Sequence, residues 1–251
     1  MTSSELKAKA RESLKGKWGK AALITLVYVI INWVINFILG FIPFIGGILV
    51  TIISLPISFG LLVTFMKLKR NEEVTYTDFL SLGFSNFGKV WGVFGNMILK
   101  LIIPIVLVVV FIMVMVFSGI GAGVGVAFRS TSATTGFSGL IIVGLIGYIV
   151  SLIYLMLKSY YYTLSFYILY DNPNKTGKEI VEESQKLMTG NRWSFFWLGF
   201  TFIGWAILAS FTFGIGMFWL IPYMMVTFVA FYESLAGNKN DVEVSPVQEN
   251  E

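Results

Sequence analysis

The sequence contains no cysteine and no histidine, and each absence excludes a class of chemistry. Without cysteine the chain cannot form a disulfide, a thiolate nucleophile or a Cys-ligated zinc or iron–sulfur site. Without histidine it lacks the commonest general base and the commonest transition-metal ligand. We therefore expect a protein that is not an enzyme and that has no catalytic, cofactor-binding or metal site.

Charged residues are also scarce. They make up 13% of the 251 residues, whereas a soluble domain carries about a quarter. Apolar residues make up 56%, and the mean hydropathy is +0.80. All acidic residues lie outside the long apolar runs, so the intramembrane carboxylate typical of proton-coupled transporters is not expected. The composition predicts an all-α polytopic membrane protein.

Six apolar runs are long enough to cross a bilayer, since a helical span needs about 20 residues. Each is predicted to be a helix because backbone groups in lipid must be paired within the segment. The predicted spans are Ala21–Leu39, Ile48–Met66, Leu101–Phe117, Leu140–Leu157, Phe195–Phe211 and Phe213–Phe231.

The basic residues predict the orientation of these spans. They are concentrated before the first span, between the second and third, and between the fourth and fifth, whereas the loops on the other side carry only Arg129. The positive-inside rule therefore places both termini in the cytoplasm of a multi-pass plasma-membrane protein. The first span is expected to stay in the protein as a membrane helix and not to be cleaved as a signal peptide. Acidic residues interrupt the basic segment before it, and its apolar run is too long for a cleaved signal.

Each cytoplasmic segment repeats one pattern. A threonine is followed three residues later by an acid, which is typical of a capping box at a helix start, and a Gly–basic–Trp sequence closes the segment. We interpret the chain as three pseudo-repeated units, each a cytoplasmic amphipathic helix in the headgroup layer followed by a hairpin. Chance agreement at membrane boundaries is the alternative. The capping pairs are Thr2–Glu5, Thr75–Asp78 and Thr176–Glu179. The units are 1–67, 75–157 and 176–235, within one membrane domain 1–235. Residues 236–251 are predicted to form a disordered tail.

Basic and aromatic residues near the membrane boundaries are the candidate contacts. Lys100 and Lys158 are the charged residues deepest in apolar sequence. They either face a cavity that binds an anionic lipid or solute, or mark the ends of their spans and snorkel to the surface. The other basic candidates either recruit anionic lipid or serve only as the orientation signal. Candidate lipid or solute contacts are Lys100, Lys158, Tyr160, Lys17, Lys89 and Arg192, and predicted interfacial anchors are Trp18, Trp91 and Trp193.

A glycine-rich stretch, Gly119–Gly125, lacks the Lys-Ser/Thr ending of a phosphate-binding loop. We predict that it forms a flexible outer loop together with Ser130–Ser138.

Several motifs resemble one bacterial family of membrane proteins, and they extend over nearly the whole chain. They are Arg11-Glu-Ser-Leu-Lys-Gly-Lys-Trp18, Lys158-Ser-Tyr160, Asp171-Asn-Pro173, Leu187-Met-Thr-Gly190-Asn-Arg-Trp193, Trp219-Leu-Ile-Pro-Tyr223 and Ala230-Phe-Tyr-Glu233.

This family is called domain of unknown function 975 and is common in Firmicutes. It is distantly similar to membrane domains of glycerophosphodiester phosphodiesterases. The resemblance implies a membrane protein of Gram-positive origin and supplies no activity. Where the family commonly has Pro-Gly before the lysine near 158, this chain has Leu155-Met156-Leu157, so the fourth helix is expected to continue towards Tyr170.

The function expected from the sequence is that of a non-enzymatic plasma-membrane protein, a lipid-interacting or envelope-related scaffold. Its expected partners are anionic lipids and a membrane protein or a second copy of the chain, with no nucleic acid. The alternative is a transporter or channel for a small solute or lipid.

Overall fold

Helices form almost all of the chain because its apolar runs must pair their backbone groups internally. The computed structural model describes residues 2–43 and 45–243, and no strand occurs among them. The helices are α1 (Ser3–Ser13), α2 (Trp18–Gly40), α3 (Gly46–Lys69), α4 (Asp78–Ser85), α5 (Phe87–Ala127), α6 (Thr131–Ser159), α7 (Ser165–Asp171), α8 (Gly177–Met188), α9 (Arg192–Phe200), α10 (Ile203–Ser210) and α11 (Met217–Glu243).

Six helical segments in the described part of the chain are long and apolar enough to cross a membrane. Each contains or overlaps one of the six predicted spans, so the prediction of six apolar helical segments of membrane-spanning length is confirmed. The segments are Trp18–Gly40, Gly46–Lys69, Phe87–Ala127, Thr131–Asp171, Arg192–Ser210 and Met217–Gly237.

The fifth span differs from its prediction as one continuous helix. α9 ends at Phe200, and α10 begins at Ile203. The hydroxyl of Thr201 donates to the carbonyl oxygen of Leu198 at 2.6 Å, a local bond that competes with the helical ladder. The expected continuation of the fourth helix towards Tyr170 is interrupted. A 3-10 turn at Tyr160–Tyr162 follows α6, and α7 begins at Ser165.

Two of the three predicted capping boxes are confirmed. Thr2 caps α1 and Thr176 caps α8, each with reciprocal bonds to the glutamate three residues later. The third prediction is wrong, because α4 begins at Asp78 after Thr77, with no side-chain cap bond. The amide of Thr75 donates to Asp78 Oδ2 at 2.9 Å, and its hydroxyl also donates to that carboxylate. The hydroxyl is therefore used in a turn instead of accepting from a helix amide.

The short amphipathic helices bury their apolar faces against other helices. Leu6 and Ala10 of α1, Phe79 of α4, and Ile180 and Met188 of α8 are all buried. α1 packs mainly on α11, α4 on α3, and α8 on α7. The protein itself therefore covers these apolar faces, and the position of the short helices in the headgroup layer stays a prediction.

α3 and α4 cross at two glycines. A Cβ on Gly60 would overlap the backbone of Phe79, and a Cβ on Gly83 would overlap the carbonyl of Pro56. Glycine at both positions lets the two backbones meet directly. The neighbouring core includes Ile57, and it continues through α1, α2 and α11.

The three pseudo-repeats are not confirmed. Equivalent short helices pack on different partners, and the described residues divide into two compact units that do not follow the predicted boundaries. One unit contains the residues up to Val93 and those from Leu164 onward, and the other is Phe94–Thr163. α11 continues to Glu243, so residues 236–243 of the predicted tail are helical, and 244–251 lie outside the described residues.

The unit Phe94–Thr163 is an antiparallel hairpin of α5 and α6. The predicted outer loop is wrong, because α5 continues to Ala127 and α6 begins at Thr131. Two glycines of that predicted loop, four residues apart, are used for close packing between the helices: a Cβ on Gly121 would overlap Phe137, and a Cβ on Gly125 would overlap Thr134. Glycine spacing of this kind lets membrane helices approach closely.

Candidate functional site

A cavity of about 530 Å³ lies in the first unit, beside the α10–α11 hairpin. This is within the range of about 300–1,000 Å³ typical of small-molecule sites. We call it the groove. It is lined by Lys7, Arg11, Trp18, Trp205, Leu208, Ala209, Thr212, Gly216, Trp219, Leu220 and Tyr223.

Both cations of the groove come from α1. Lys7 and Arg11 are four residues apart and therefore share one face of the helix, while Leu6 and Ala10 are buried on another. Burial, together with repulsion from Arg11, holds the pKa of Lys7 below its ordinary value. An anion bound between the two cations would offset that repulsion.

Lys7 is held against the junction between α9 and α10. Its ammonium lies 3.5 Å from the carbonyl oxygen of Thr201 and 4.5 Å from the centre of the Phe202 ring. A cation over an aromatic face is attracted by the ring quadrupole. The break in the fifth segment therefore positions one end of the groove.

Aromatic and aliphatic side chains from α10 and α11 line the rest of the groove. Trp205 and Trp219 are exposed on their helices, and Leu220 is buried. The ring of Trp18, at the start of α2, lies 6.1 Å from that of Tyr223. An apolar chain placed here would contact carbon on several sides, and its polar end would meet the two cations.

A compact turn closes the hairpin beside the groove. The Thr212 hydroxyl donates to the carbonyl oxygen of Ala209 at 2.6 Å and accepts from the amide of Gly216 at 2.8 Å. Gly214 has a φ of +83°, a conformation that glycine adopts without strain. These two bonds pair the Thr212 hydroxyl and the Gly216 amide within the turn.

The groove combines cationic and apolar walls. No acidic side chain lines its described walls, and a search of the described residues finds no group of ligands able to hold a metal. The arrangement offers two cations and an apolar channel, which is the complement of an anionic amphiphile.

A second charged site, the ionic cluster, joins three helices: Lys69 ends α3 and Arg70 follows it, Asp171 ends α7, and Glu233 lies within α11. Arg70 binds Asp171 through two bonds of 2.7 and 2.9 Å, and its Nε donates to Glu233 at 3.1 Å. Lys69 also pairs with Glu233. The bonds to Asp171, and then those to Glu233, raise the pKa of Arg70 despite its partial burial.

The residues predicted as lipid contacts lie elsewhere in the first unit. Lys17 donates to the carbonyl oxygen of Leu68 at 2.9 Å and to Asn71 Oδ1 at 2.6 Å, so it has a structural role between α2 and the end of α3. Lys89 is exposed on α5, and Arg192 is half-buried at the start of α9. None of these three lines the groove.

Lys100 and Lys158 belong to the α5–α6 hairpin. Both lie towards the end remote from its turn, which fits the interpretation that they mark span ends. The Lys158 ammonium lies 5.8 Å from the ring of Tyr154. Tyr160 follows in the 3-10 turn and is half-buried. Lipid or solute contact by these residues stays a prediction.

The three predicted tryptophan anchors have different surroundings. Trp193 on α9 is 62% exposed, Trp91 is half-buried on α5, and Trp18 lines the groove. Sequence reasoning therefore found one groove residue, although as an anchor. It counted Lys7 and Arg11 only among the basic residues before the first span, and their four-residue spacing on α1 was the available signal for a defined site.

The described fold is that of an all-helical protein of the polytopic membrane class. The chain belongs to the family described as Protein of unknown function (DUF975), whose model matches residues 1–239. No curated protein and no solved structure matches the chain. The more distant similarity to membrane domains of glycerophosphodiester phosphodiesterases stays a prediction.

Proposed function

We propose that this protein is a non-enzymatic plasma-membrane protein that binds an anionic lipid in the groove, in support of a scaffold role in the cell envelope. The observation that carries the proposal is the joining of Lys7 and Arg11 to a channel lined by tryptophan and leucine. Lipid recognition commonly combines basic residues at the headgroup level with an apolar surface for the chains.

Two features separate this site from a general basic surface. Lys7 is half-buried against Phe202, where a charge is less well solvated than at the surface. The tryptophans form walls beside it, so a ligand would gain charge pairing and apolar contact together. A soluble anion would gain only the first of these.

The test is lipid retention by the purified full chain, measured by native mass spectrometry with phosphatidylglycerol and phosphatidylcholine as probes. The variant Lys7→Gln/Arg11→Gln removes the groove cations. Its matched control, Lys9→Gln/Lys15→Gln, removes the same charge from exposed positions beside them on α1 and just after it. We expect the groove variant to bind phosphatidylglycerol at least tenfold more weakly, which corresponds to about 1.4 kcal/mol.

The control variant is expected to retain phosphatidylglycerol within about twofold of the unmodified chain, less than 0.5 kcal/mol. Equal losses in both variants would show that basic charge in general attracts lipid, and would overturn the groove as the site. Equal retention of the two lipids by the unmodified chain would overturn the preference for an anionic headgroup.

A further inference from the structure

The first helix of the α10–α11 hairpin is much shorter than α2, although α11, with 27 residues, is longer than α2, which has 23. At about 1.5 Å per residue, α2 (Trp18–Gly40) is about 35 Å long, whereas α10 (Ile203–Ser210) is only about 12 Å long. The hydrocarbon core of a bilayer is about 30 Å thick. α2 can therefore cross it alone, and α10 cannot.

Ring contacts place the base of this short hairpin at the start of α2. The ring of Phe202 lies 5.3 Å from that of Tyr223, and the ring of Tyr223 lies 6.1 Å from that of Trp18. α2 and the α10–α11 hairpin therefore start from the same place, yet the hairpin turns back after about a third of the length of α2.

Charged residues of α1 lie at the base of the hairpin. Lys7 contacts Phe202 and the Thr201 carbonyl, and α1 exposes further charges at Lys9 and Glu12. A charged helix belongs at the headgroup level, because charge at the bilayer centre is costly. If α1 lies at the cytoplasmic surface, the turn of the hairpin reaches only about the middle of the bilayer.

Two properties of the hairpin suit this position. Residues 211–216 carry no charge, and Phe213 at the turn is 99% exposed. The turn amides of Thr212 and Ile215 donate to carbonyls within the hairpin, as lipid requires of backbone groups.

α9 has the features of an interfacial helix. Its aromatic residues Trp193, Trp197 and Phe200 are exposed, while Phe195 and Leu198 are buried. Exposed tryptophans are enriched at the headgroup level, and α1 packs against α9.

We propose that α9 lies at the cytoplasmic surface and that the α10–α11 hairpin is re-entrant: it enters the bilayer from the cytoplasm and turns back inside it. Four helices, α2, α3, α5 and α6, then cross completely. The groove opens only to the cytoplasmic leaflet, and any lipid it binds comes from that leaflet; this last step rests on the proposed function.

The absence of cysteine makes the test direct. Single cysteines replace Phe213 at the hairpin turn, Phe41 at the α2–α3 turn and Glu73 in the loop after α3. Intact and permeabilised cells are treated with a membrane-impermeant maleimide. We expect Phe41→Cys to be labelled in intact cells, Glu73→Cys only after permeabilisation, and Phe213→Cys in neither case.

The expected result for Phe213→Cys is an absence of labelling, so its depth in the bilayer is also measured directly by fluorescence quenching. A bimane attached to this cysteine in purified protein is reconstituted with lipids brominated near the headgroup or along the acyl chain. We expect the strongest quenching from bromine near the end of the chain. Ile215→Cys, in the same turn, serves as a second variant if Phe213→Cys does not fold.

Labelling of the hairpin turn from the outside, at the level of Phe41→Cys, would overturn the re-entrant hairpin, and so would labelling from the cytoplasm. Strongest quenching by headgroup bromine would do the same. These results do not depend on lipid binding, so the groove variants and the turn cysteines report the two proposals separately.

Discussion

At the scale of single residues, Arg70 stabilises the first unit because it joins the end of α3 to α7 and α11. Its side chain is 29% exposed, and those of Asp171 and Glu233 are 26% and 28% exposed. The planar guanidinium binds one carboxylate through two bonds and a second through Nε, a geometry that lysine cannot copy. The two carboxylates would repel each other without it.

We predict that Arg70→Met lowers the free energy of unfolding by about 2 kcal/mol and Arg70→Lys by about 1 kcal/mol, since the partners are neither fully buried nor fully solvated. Thermal unfolding in detergent measures both. Lys67→Met is the control, because Lys67 lies 3.9 Å from the more exposed Glu72, and such pairs contribute less than about 1 kcal/mol. A control as damaging as Arg70→Met would contradict the prediction.

Asp78 gives the first unit a dependence on acid. Burial opposes its ionisation, but the bonds from the Thr75 hydroxyl and amide outweigh it, so the pKa of Asp78 lies below its ordinary value of 3.8. A lowered pKa stabilises the fold above the unfolded-state pKa, and the effect is lost as pH falls through the folded-state pKa.

We therefore predict that Thr75→Val reduces the loss of stability between pH 5 and pH 3 that comes from Asp78. Thermal unfolding across this range, with Thr77→Val as the control, measures it. Thr77 precedes α4 but makes no side-chain cap bond. Parallel pH curves for the unmodified chain and Thr75→Val would contradict the prediction.

At the scale of elements, the close approach of the two backbones at Gly60 and Gly83 holds α4 against α3. We predict that Gly60→Ala or Gly83→Ala lowers the free energy of unfolding by more than about 3 kcal/mol, beyond ordinary overpacking, because the added methyl meets backbone. Gly88→Ala and Gly92→Ala are the controls, since nothing lies within 4 Å of a Cβ at either. If the Gly60 and Gly83 variants unfolded at the same temperature as the controls, a tight crossing of α3 and α4 would be contradicted.

The same elements show what the sequence can predict. The starts of α1 and α8 follow from local capping chemistry, so both were predicted correctly. The outer loop was predicted wrongly because glycine favours loops in isolation, whereas Gly121 and Gly125 are used here for contact with Phe137 and Thr134 of α6. The packing of α4 on α3 depends on a distant surface, which local periodicity does not encode.

The groove was beyond sequence reasoning for a related reason. Hydropathy marks the fifth segment as one apolar run, and it does not reveal the break between Phe200 and Ile203. The position of Lys7 depends on that break and on the packing of α1 against α11. Basic residues on α1 predict an attraction to anionic lipid, but only the folded chain joins two of them to an apolar channel.

At the scale of the whole molecule, the predicted side of the C-terminus is the same whether the α10–α11 hairpin is re-entrant or crosses the membrane twice. Either version of the third hairpin returns the chain to its starting face, so the charge distribution still predicts both termini in the cytoplasm. The turn between α5 and α6, with Arg129, is then outside.

We predict that green fluorescent protein fused at either terminus is fluorescent, whereas alkaline phosphatase fused at the C-terminus is inactive. Phosphatase inserted after Arg129 should be active, because that turn faces out. Active phosphatase at the C-terminus would contradict the orientation. Because Lys7 contacts Phe202, α1 and the base of the hairpin lie on the same face of the membrane, so the N-terminal fusion also reports the side on which the hairpin starts.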